Sequence, residues 1–200
     1  MIDREIYATD GEYSLCPVIE ADREYYVRLR EQVNGTDTLF LNPICKDLMW
    51  DWVLTGETKY FSVIDKKGEY CGCMELQCPL SEMPEIAIDL LSHKRNIGIA
   101  KRALKLLVLK ASMEHPVDSY LVRILSGNTH SRHVFEKIGA VPVGSRGSFL
   151  EDLGRDIDTI ANGEDFAKVM KALAETMYEK EDKSGEQILE YHLSPEVFVK

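Results

Sequence analysis

The six residues Arg95-Asn96-Ile97-Gly98-Ile99-Ala100 lie where an apolar strand pattern gives way to a long helical pattern. The first backbone N–H groups of a helix have no intrahelical partner, and the helix dipole is positive there, so such a junction favours phosphate. Gly98 removes the side chain where a ligand must approach closely, and Ala100 nearly does so. The stretch therefore predicts a phosphate-binding turn between a strand and a helix.

The composition of the chain limits the classes of protein to which it can belong. It has 200 residues, 44% of them hydrophobic, and a formal net charge of −10 at pH 7. This length and composition suit one domain with a packed core, and the acidic balance argues against nucleic acid as a partner. No apolar run approaches the ~20 residues of a membrane span, and the N-terminus lacks the pattern of a secretion signal. We expect a soluble, cytoplasmic protein without a membrane partner.

Cysteine usage predicts neither a disulfide framework nor a metal site. The five cysteines are an odd number in a chain without a secretion signal, which is typical of reduced thiols. Cys71 and Cys73 would point to one face of a strand, but no second pair or CxxC spacing accompanies them. We therefore expect ordinary packed thiols and no metal.

Hydrophobic periodicity and turn signals predict an alternation of strands and helices. Strands are predicted near residues 13–18, 59–64, 70–77, 85–91, 119–125, 141–143 and 188–193. Helices are predicted near residues 20–32, 43–53, 100–115 and 129–138. Asp22 is placed to cap the first of these helices. The pattern after the phosphate turn is therefore helix, strand, helix, strand.

The segment 148–186 differs in character from the rest of the chain. It predicts two further amphipathic helices and carries more Asp and Glu than Lys and Arg. Because strand alternation returns at 188–193, we interpret the segment as an acidic helical insertion within a single domain spanning 1–200. It would either attract a cationic partner or form a packed elaboration or a homodimer surface.

Residues around and beyond the turn resemble the GNAT superfamily of acetyl-CoA-dependent N-acetyltransferases. The family motif at this turn is Gln or Arg, two residues, Gly, one residue, then Gly or Ala, which Arg95, Gly98 and Ala100 match. The family then has an Asn at the end of the next strand and a Lys-x-Gly corner after the next helix. Here these are Asn128 and the corner 137–139. The ordered set is more specific than the six-residue motif alone.

The resemblance extends over roughly residues 13–143 and 188–193. It implies a fold of the α/β (α+β) class, with a mixed, mostly antiparallel central sheet flanked by helices and a helical insertion before the last strand. One departure is Ala140, where the family usually has Phe. This departure changes packing more than chemistry.

The resemblance also implies acetyl-CoA as the co-substrate and shows where it would bind. The pyrophosphate would lie on backbone N–H groups of the turn. The pantetheine arm would pair with strand backbone and with a side-chain amide, and no metal is required. The CoA-binding residues implied in this way are Leu90, Leu91, Arg95, Asn96, Ile97, Gly98, Ile99, Ala100, Asn128 and Ser131.

Acetyl transfer to an amine needs a proton acceptor, because an alkylammonium with a pKa of about 10.4 has no lone pair at neutral pH. Glu85 lies near the position where histone-acetylating members of the superfamily carry their general base, so we predict that it is the base or a substrate anchor. Asp89 shares its strand face by alternation and is the second candidate. Many relatives use a Tyr as general acid where this chain has Phe135. Ser131 or a water would then protonate the thiolate, or it would leave unassisted.

The resulting hypothesis is direct transfer of an acetyl group from acetyl-CoA to a primary amine of a small molecule, polyamine, peptide or protein. A cationic acceptor would suit the acidic chain. The alternative is a GNAT-like protein that binds CoA, has lost catalysis and serves as a sensor or interaction module, which the missing Tyr leaves open. A dinucleotide-binding unit does not fit, because the turn contains only one glycine of the G-x-G-x-x-G pattern.

Overall fold

An eight-stranded sheet with helices on both faces forms the framework of the protein. The computed structural model describes residues 3–34, 43–146 and 187–199. The strands are β1 (Ala8–Thr9), β2 (Tyr13–Pro17), β3 (Lys59–Asp65), β4 (Tyr70–Gln77), β5 (Glu85–Leu90), β6 (Tyr120–Leu125), β7 (Val141–Arg146) and β8 (Ile188–Leu193). The helices are α1 (Arg23–Asn34), α2 (Pro43–Thr55), α3 (Ile99–Glu114) and α4 (Thr129–Lys137). All of these except β1 lie close to their predicted positions.

The strands follow the order β1-β2-β3-β4-β5-β6-β8-β7 across the sheet. Neighbouring strands are antiparallel, except that β5 and β6 run parallel. Within the described residues, β5 and β6 share a single bridge, with Glu85 opposite Leu121. This topology confirms the predicted mixed, mostly antiparallel sheet flanked by helices.

Each face of the sheet carries its own hydrophobic core, because alternate side chains of a strand point to opposite faces. One core packs α3 and α4 against the sheet and includes Leu104, Leu107 and Phe135. The other packs α1 and α2 against the opposite face and includes Leu29 and Trp50. The central strand β5 therefore has helices on both sides, which fixes the direction of each of its side chains.

Two local features differ from the sequence-based expectation. β1 has only two residues and forms by pairing with β2. Asp22 caps the start of the 3-10 turn Glu20–Asp22, which leads directly into α1, but it is also fully buried. Its carboxylate accepts hydrogen bonds from the Arg4 guanidinium, the Ser62 hydroxyl and the Ile19 N–H. Arg4 and Ser62 thus add long-range partners to a local cap.

The predicted acidic insertion, residues 148–186, lies outside the described residues. Its helices and the single-domain organisation of the chain stay predictions.

Candidate active site

The predicted phosphate turn is a left-handed turn at the start of α3. Gly98 is the N-cap residue, with φ +87°, and Asn96 has a φ of +62°. A Cβ built on Gly98 meets nothing within 4 Å, so the space beside the helix start is open. Gly98 has no side chain with which to cap the helix, so the N–H groups of the first turn are available to an anion. Ile97 is exposed beside them, and Ile99 is buried and anchors the helix start.

Side-chain contacts hold this turn in place. Arg95 Nε donates to the carbonyl oxygen of Leu90, at 2.9 Å, and so ties the turn to the end of β5. Lys94 Nζ donates to the carboxylates of Glu69 and Asp65 in the β3–β4 turn, at 2.6 and 3.2 Å. These contacts connect the phosphate turn to the end of β5 and to the β3–β4 turn.

Beyond their bridge, no further ladder pairing joins β5 to β6 within the described residues, and we call this unpaired stretch between the two strands the gap. On the other edge of β5, the Leu91 N–H donates to the carbonyl of Cys71 on β4, at 3.0 Å. Because an antiparallel ladder alternates, the N–H and C=O groups of Leu90 and Ile88 point the other way, toward the gap. The contact from Arg95 to the Leu90 carbonyl agrees with this direction. Of the two residues predicted to pair with pantetheine, Leu90 presents its N–H to the gap and Leu91 uses its N–H within the sheet.

The opposite side of the gap is formed by β6 and the start of α4. Asn128 is the N-cap of α4, and its Oδ1 accepts from the Ser131 N–H at 3.1 Å. This bond uses only the oxygen of the side-chain amide, so the amino group can still donate to a ligand. Because β5 and β6 are parallel, the turn at Gly98 and the cap at Asn128 both follow carboxyl ends of strands. They therefore border the same end of the gap.

Phe135 is the residue that the resemblance to GNAT members places where many of them carry a Tyr. It is buried, at 5% exposure, in the core beneath α3 and α4, and it has no polar atom. Ser131 lies four residues earlier, on the same face of α4, and is half-buried. Its hydroxyl is thus the predicted proton donor on that helix face.

The face of β5 turned toward α1 carries both predicted carboxylates. Ile86 and Leu90 belong to the core beneath α3. By strand alternation, Glu85, Ala87 and Asp89 face the opposite side, toward α1. The structure therefore brings Glu85 and Asp89 to one face, at the two ends of the strand.

Each of these carboxylates is paired with an arginine. Glu85 Oε2 accepts from Arg123 on β6, with 2.8 Å to Nε and 2.6 Å to Nη2. Asp89 Oδ2 accepts from Arg30 Nη1 on α1, at 2.6 Å. The same arginine nitrogen lies 3.3 Å from Oε1 of Glu75 on β4. This side of the sheet thus holds three carboxylates beside two guanidinium groups.

Sequence reasoning missed Glu75, Arg30 and Arg123. Glu75 is the single carboxylate of β4 and is only 8% exposed. Burial raises its pKa above the usual range, and the positive charge of Arg30 opposes that shift. A carboxylate inside an otherwise buried strand pattern was the available signal for Glu75. The two arginines gave no such signal, because their partners lie on strands distant in sequence.

Comparison with known proteins decides the family. The family model described as an acetyltransferase (GNAT) domain matches residues 14–141. This chain belongs to the GNAT acetyltransferase family. No curated protein sequence matches it.

Solved structures of spermidine N-acetyltransferases are similar to this GNAT domain in fold. A variant of SpeG from Vibrio cholerae has a TM-score of 0.65 at 12% identity, over 96% of this chain and 98% of that chain. A SpeG structure from Vibrio cholerae in complex with CoA and spermine has a TM-score of 0.62 at 11% identity, over 96% and 100%. The dodecameric enzyme from the same organism has a TM-score of 0.62 at 12% identity, over 93% and 95%. At such identities the likeness concerns the fold.

This GNAT domain has its own packing at the corner after α4. Ala140 stands there in place of the usual Phe and is buried in the same core as Phe198. Gly139 has a φ of +102°, and a Cβ on it would come within 3.0 Å of Val197 Cγ1. The C-terminal 3-10 turn Pro195–Phe198 therefore packs against this corner.

In residues 3–34, 43–146 and 187–199, no group of three or more His, Cys, Asp or Glu side chains could hold a metal ion. Over the same ranges, no helix is both long and apolar enough to cross a bilayer.

Proposed function

We propose that this protein is an N-acetyltransferase that moves the acetyl group of acetyl-CoA directly to a primary amine. The observation that carries the proposal is the gap between parallel β5 and β6, which ends beside the open helix start at Gly98. A thioester arm can lie in that gap while its pyrophosphate meets the helix N–H groups. Holding both substrates in this way supplies part of the barrier reduction, roughly 7 to 11 kcal/mol in well-oriented model reactions.

Backbone groups would hold most of the CoA portion. The N–H groups of Arg95–Ala100 would receive the pyrophosphate. The Leu90 N–H would donate to the arm or to the thioester carbonyl, where it would stabilise the oxyanion of the tetrahedral intermediate. From the other wall, the Asn128 amino group would donate to the arm, and the Ser131 hydroxyl would extend that contact.

The acceptor would arrive as a cation. The α1 face of β5 carries a net negative charge, because the three carboxylates of Glu75, Glu85 and Asp89 outnumber the two guanidinium groups beside them. This face therefore attracts a primary ammonium. The carboxylates Glu85 and Asp89 are the groups proposed to receive it. Because the solved SpeG structures are spermidine N-acetyltransferases, polyamines are the first acceptor class to test.

Departure of the thiolate places a small demand on the protein. A thiol with a pKa of about 8.5 is a tolerable leaving group, so a strong general acid is not required. Phe135 supplies no proton. We assign that role to the Ser131 hydroxyl or to a water beside it.

Release of free CoA from acetyl-CoA tests the proposal directly. The amines offered are n-butylamine, spermidine, kanamycin and a tetrapeptide with a free N-terminus, and both CoA and the acetylated amine are quantified by chromatography and mass spectrometry. We expect at least one amine to be acetylated in proportion to the CoA released. Binding of acetyl-CoA, measured by calorimetry, without transfer to any of the four would contradict catalysis. That outcome would favour a CoA-binding module without catalysis. The buried Phe135, which has no proton to donate, is consistent with this alternative.

A further inference from the structure

One guanidinium group lies between two carboxylates on the face of the sheet that is turned toward α1. Arg30 Nη1 is 2.6 Å from Asp89 Oδ2 and 3.3 Å from Glu75 Oε1. In the sheet register, Glu75 stands opposite Ala87, and Asp89 stands opposite Cys73. The two carboxylates are therefore diagonal neighbours on one face. They share a single positive charge, which cannot compensate both.

Asp89 lies toward the end of β5 that is not paired with β6, whereas Glu85 lies at the bridged end. Asp89 directly precedes Leu90, whose N–H faces the gap. Glu85 takes part in the bridge that joins β5 to β6. The two carboxylates are four positions apart, about 13 Å along the strand. Between them Ala87 contributes only a methyl group, so no large side chain of β5 separates Asp89 from an acceptor in that space.

We propose that Glu75 and Asp89, bridged by Arg30, form a carboxyl pair that takes the proton from the acceptor ammonium. The inference rests on the proposed function and identifies its base. Asp89 touches the amine, Glu75 is the buried partner of the pair, and Arg30 is a positioning residue that orients Asp89 through one nitrogen.

The surroundings of the pair determine its charge. Burial raises the pKa of Glu75, Arg30 opposes the shift, and Asp89 adds to it. With Arg30 included, the cluster carries one negative charge when both carboxylates are ionised and none after it binds one proton. The other titratable or charged groups that face it are Tyr26 on α1, Tyr60 on β3, Tyr70 and Cys73 on β4, and Glu85 with its partner Arg123. Burial raises the pKa of each of these tyrosines and of the cysteine, so they stay neutral near pH 7.

Acetyl transfer begins with proton transfer from the acceptor to the carboxyl pair. The ammonium gives one proton to Asp89, and the lone pair of the neutral amine attacks the thioester carbonyl carbon. The C–S bond then breaks with its electron pair on sulfur, and the second amine proton reaches the thiolate through the Ser131 hydroxyl or the water beside it. The carboxyl pair returns its proton to solvent. Ammonium and acetyl-CoA thus give the acetamide, the CoA thiol and one proton.

Four variants test the pair: Asp89→Asn, Glu75→Gln, Arg30→Gln and Arg30→Lys. Each is assayed for kcat and kcat/KM against pH with whichever of n-butylamine, spermidine, kanamycin and the tetrapeptide turns over fastest. Asp89→Asn should lower kcat at least about 100-fold, as expected for loss of a general base, with the acetyl-CoA Kd unchanged. Glu75→Gln leaves Asp89 alone with its arginine, so the acid limb of the profile should move to lower pH. Arg30→Gln should move the acid limb to higher pH. Arg30→Lys keeps the positive charge, so its acid limb should lie close to that of the wild type.

Two matched controls lie outside the site. Arg23→Gln removes an arginine of the same helix whose partner, Asp47, is exposed. Glu12→Gln removes an exposed carboxylate paired with Lys66. Both should keep the wild-type profile. A purely structural role for Arg30 would lower the Tm of its variants without moving the acid limb in the direction opposite to Glu75→Gln.

The outcomes separate this inference from the function on which it rests. Two results with an active wild type would overturn the carboxyl pair and leave the proposed acetyltransferase activity standing. One is a kcat of Asp89→Asn within threefold of the wild-type value. The other is that the acid limbs of the Arg30→Gln and Glu75→Gln pH profiles do not move in opposite directions. Glu85→Gln is assayed in the same way, and a 100-fold loss confined to this variant would assign the base to Glu85 and would also overturn the pair. If the wild type acetylates none of the four amines, the inference and the proposed function fail together.

Discussion

Gly98 begins α3 with a φ of +87°, in open space at the end of the β5–β6 gap. A side chain there costs roughly 1–2 kcal/mol of backbone strain and would also cover the N–H groups of the helix start. Gly68, in the β3–β4 turn, has a φ of +83° and equally open surroundings. Substitution at the two glycines therefore separates the cost of strain from the loss of a binding surface.

We expect Gly98→Trp to raise the Kd for acetyl-CoA at least 100-fold, because the indole would occupy the proposed phosphate site. Gly68→Trp should lower the Tm by a similar amount and keep the wild-type affinity. Calorimetric titration and thermal melting of both variants measure the two effects. Undiminished affinity in Gly98→Trp would show that CoA does not bind at this turn.

At the scale of elements, the phosphate turn depends on the β3–β4 hairpin. Lys94, just before the turn, donates to Asp65 and Glu69 of that hairpin. Partial burial pushes the pKa of Asp65 upward, but hydrogen bonds from the Glu69 N–H and from Lys94 outweigh it and lower the pKa overall. The ionised form of Asp65 therefore stabilises the folded protein.

This lowered pKa predicts a pH-dependent contribution to stability. The stabilisation is complete above the usual aspartate pKa of about 3.9 and is lost as the pH falls through the lower pKa of the folded state. We expect Asp65→Asn to lower the free energy of unfolding by about 1 kcal/mol at pH 7, and this difference to shrink in strongly acidic solution. Urea unfolding across that range measures it, and Glu12→Gln, in an exposed ion pair, should cost less than about 0.5 kcal/mol. A difference independent of pH would rule out an ionic origin.

At the scale of the whole molecule, the net charge of −10 favours capture of a cationic acceptor. This attraction weakens with salt, because the screening length falls from about 30 Å at 0.01 M to about 8 Å at 0.15 M. We expect kcat/KM for spermidine to fall more steeply with added NaCl than kcat/KM for n-butylamine, which carries one charge. Initial rates across that range of salt test this. Equal slopes would mean that the overall charge plays no part in acceptor capture.

The sequence by itself determined the succession of strands and helices along the chain, the strand-to-helix turn and the membership of the GNAT family. Periodicity, a glycine at a junction and a helix-capping Asn are local properties, so residues close together in the chain carry them. The strands predicted at 70–77 and 188–193 therefore coincide with β4 and β8. The two-residue β1 escaped prediction because it exists only through its pairing with β2.

Only the tertiary structure decided what surrounds the predicted carboxylates. Arg30 reaches Glu75 and Asp89 across 45 and 59 residues of chain, and Arg123 reaches Glu85 across 38. Helix docking and strand register create these pairs, and no local pattern encodes either. Asp22 shows the same effect, since Arg4 and Ser62 bind a carboxylate that its sequence position suited to a helix cap. Local chemistry thus specifies the elements and the strand-to-helix turn, while long-range packing determines which charges meet on the α1 face of β5.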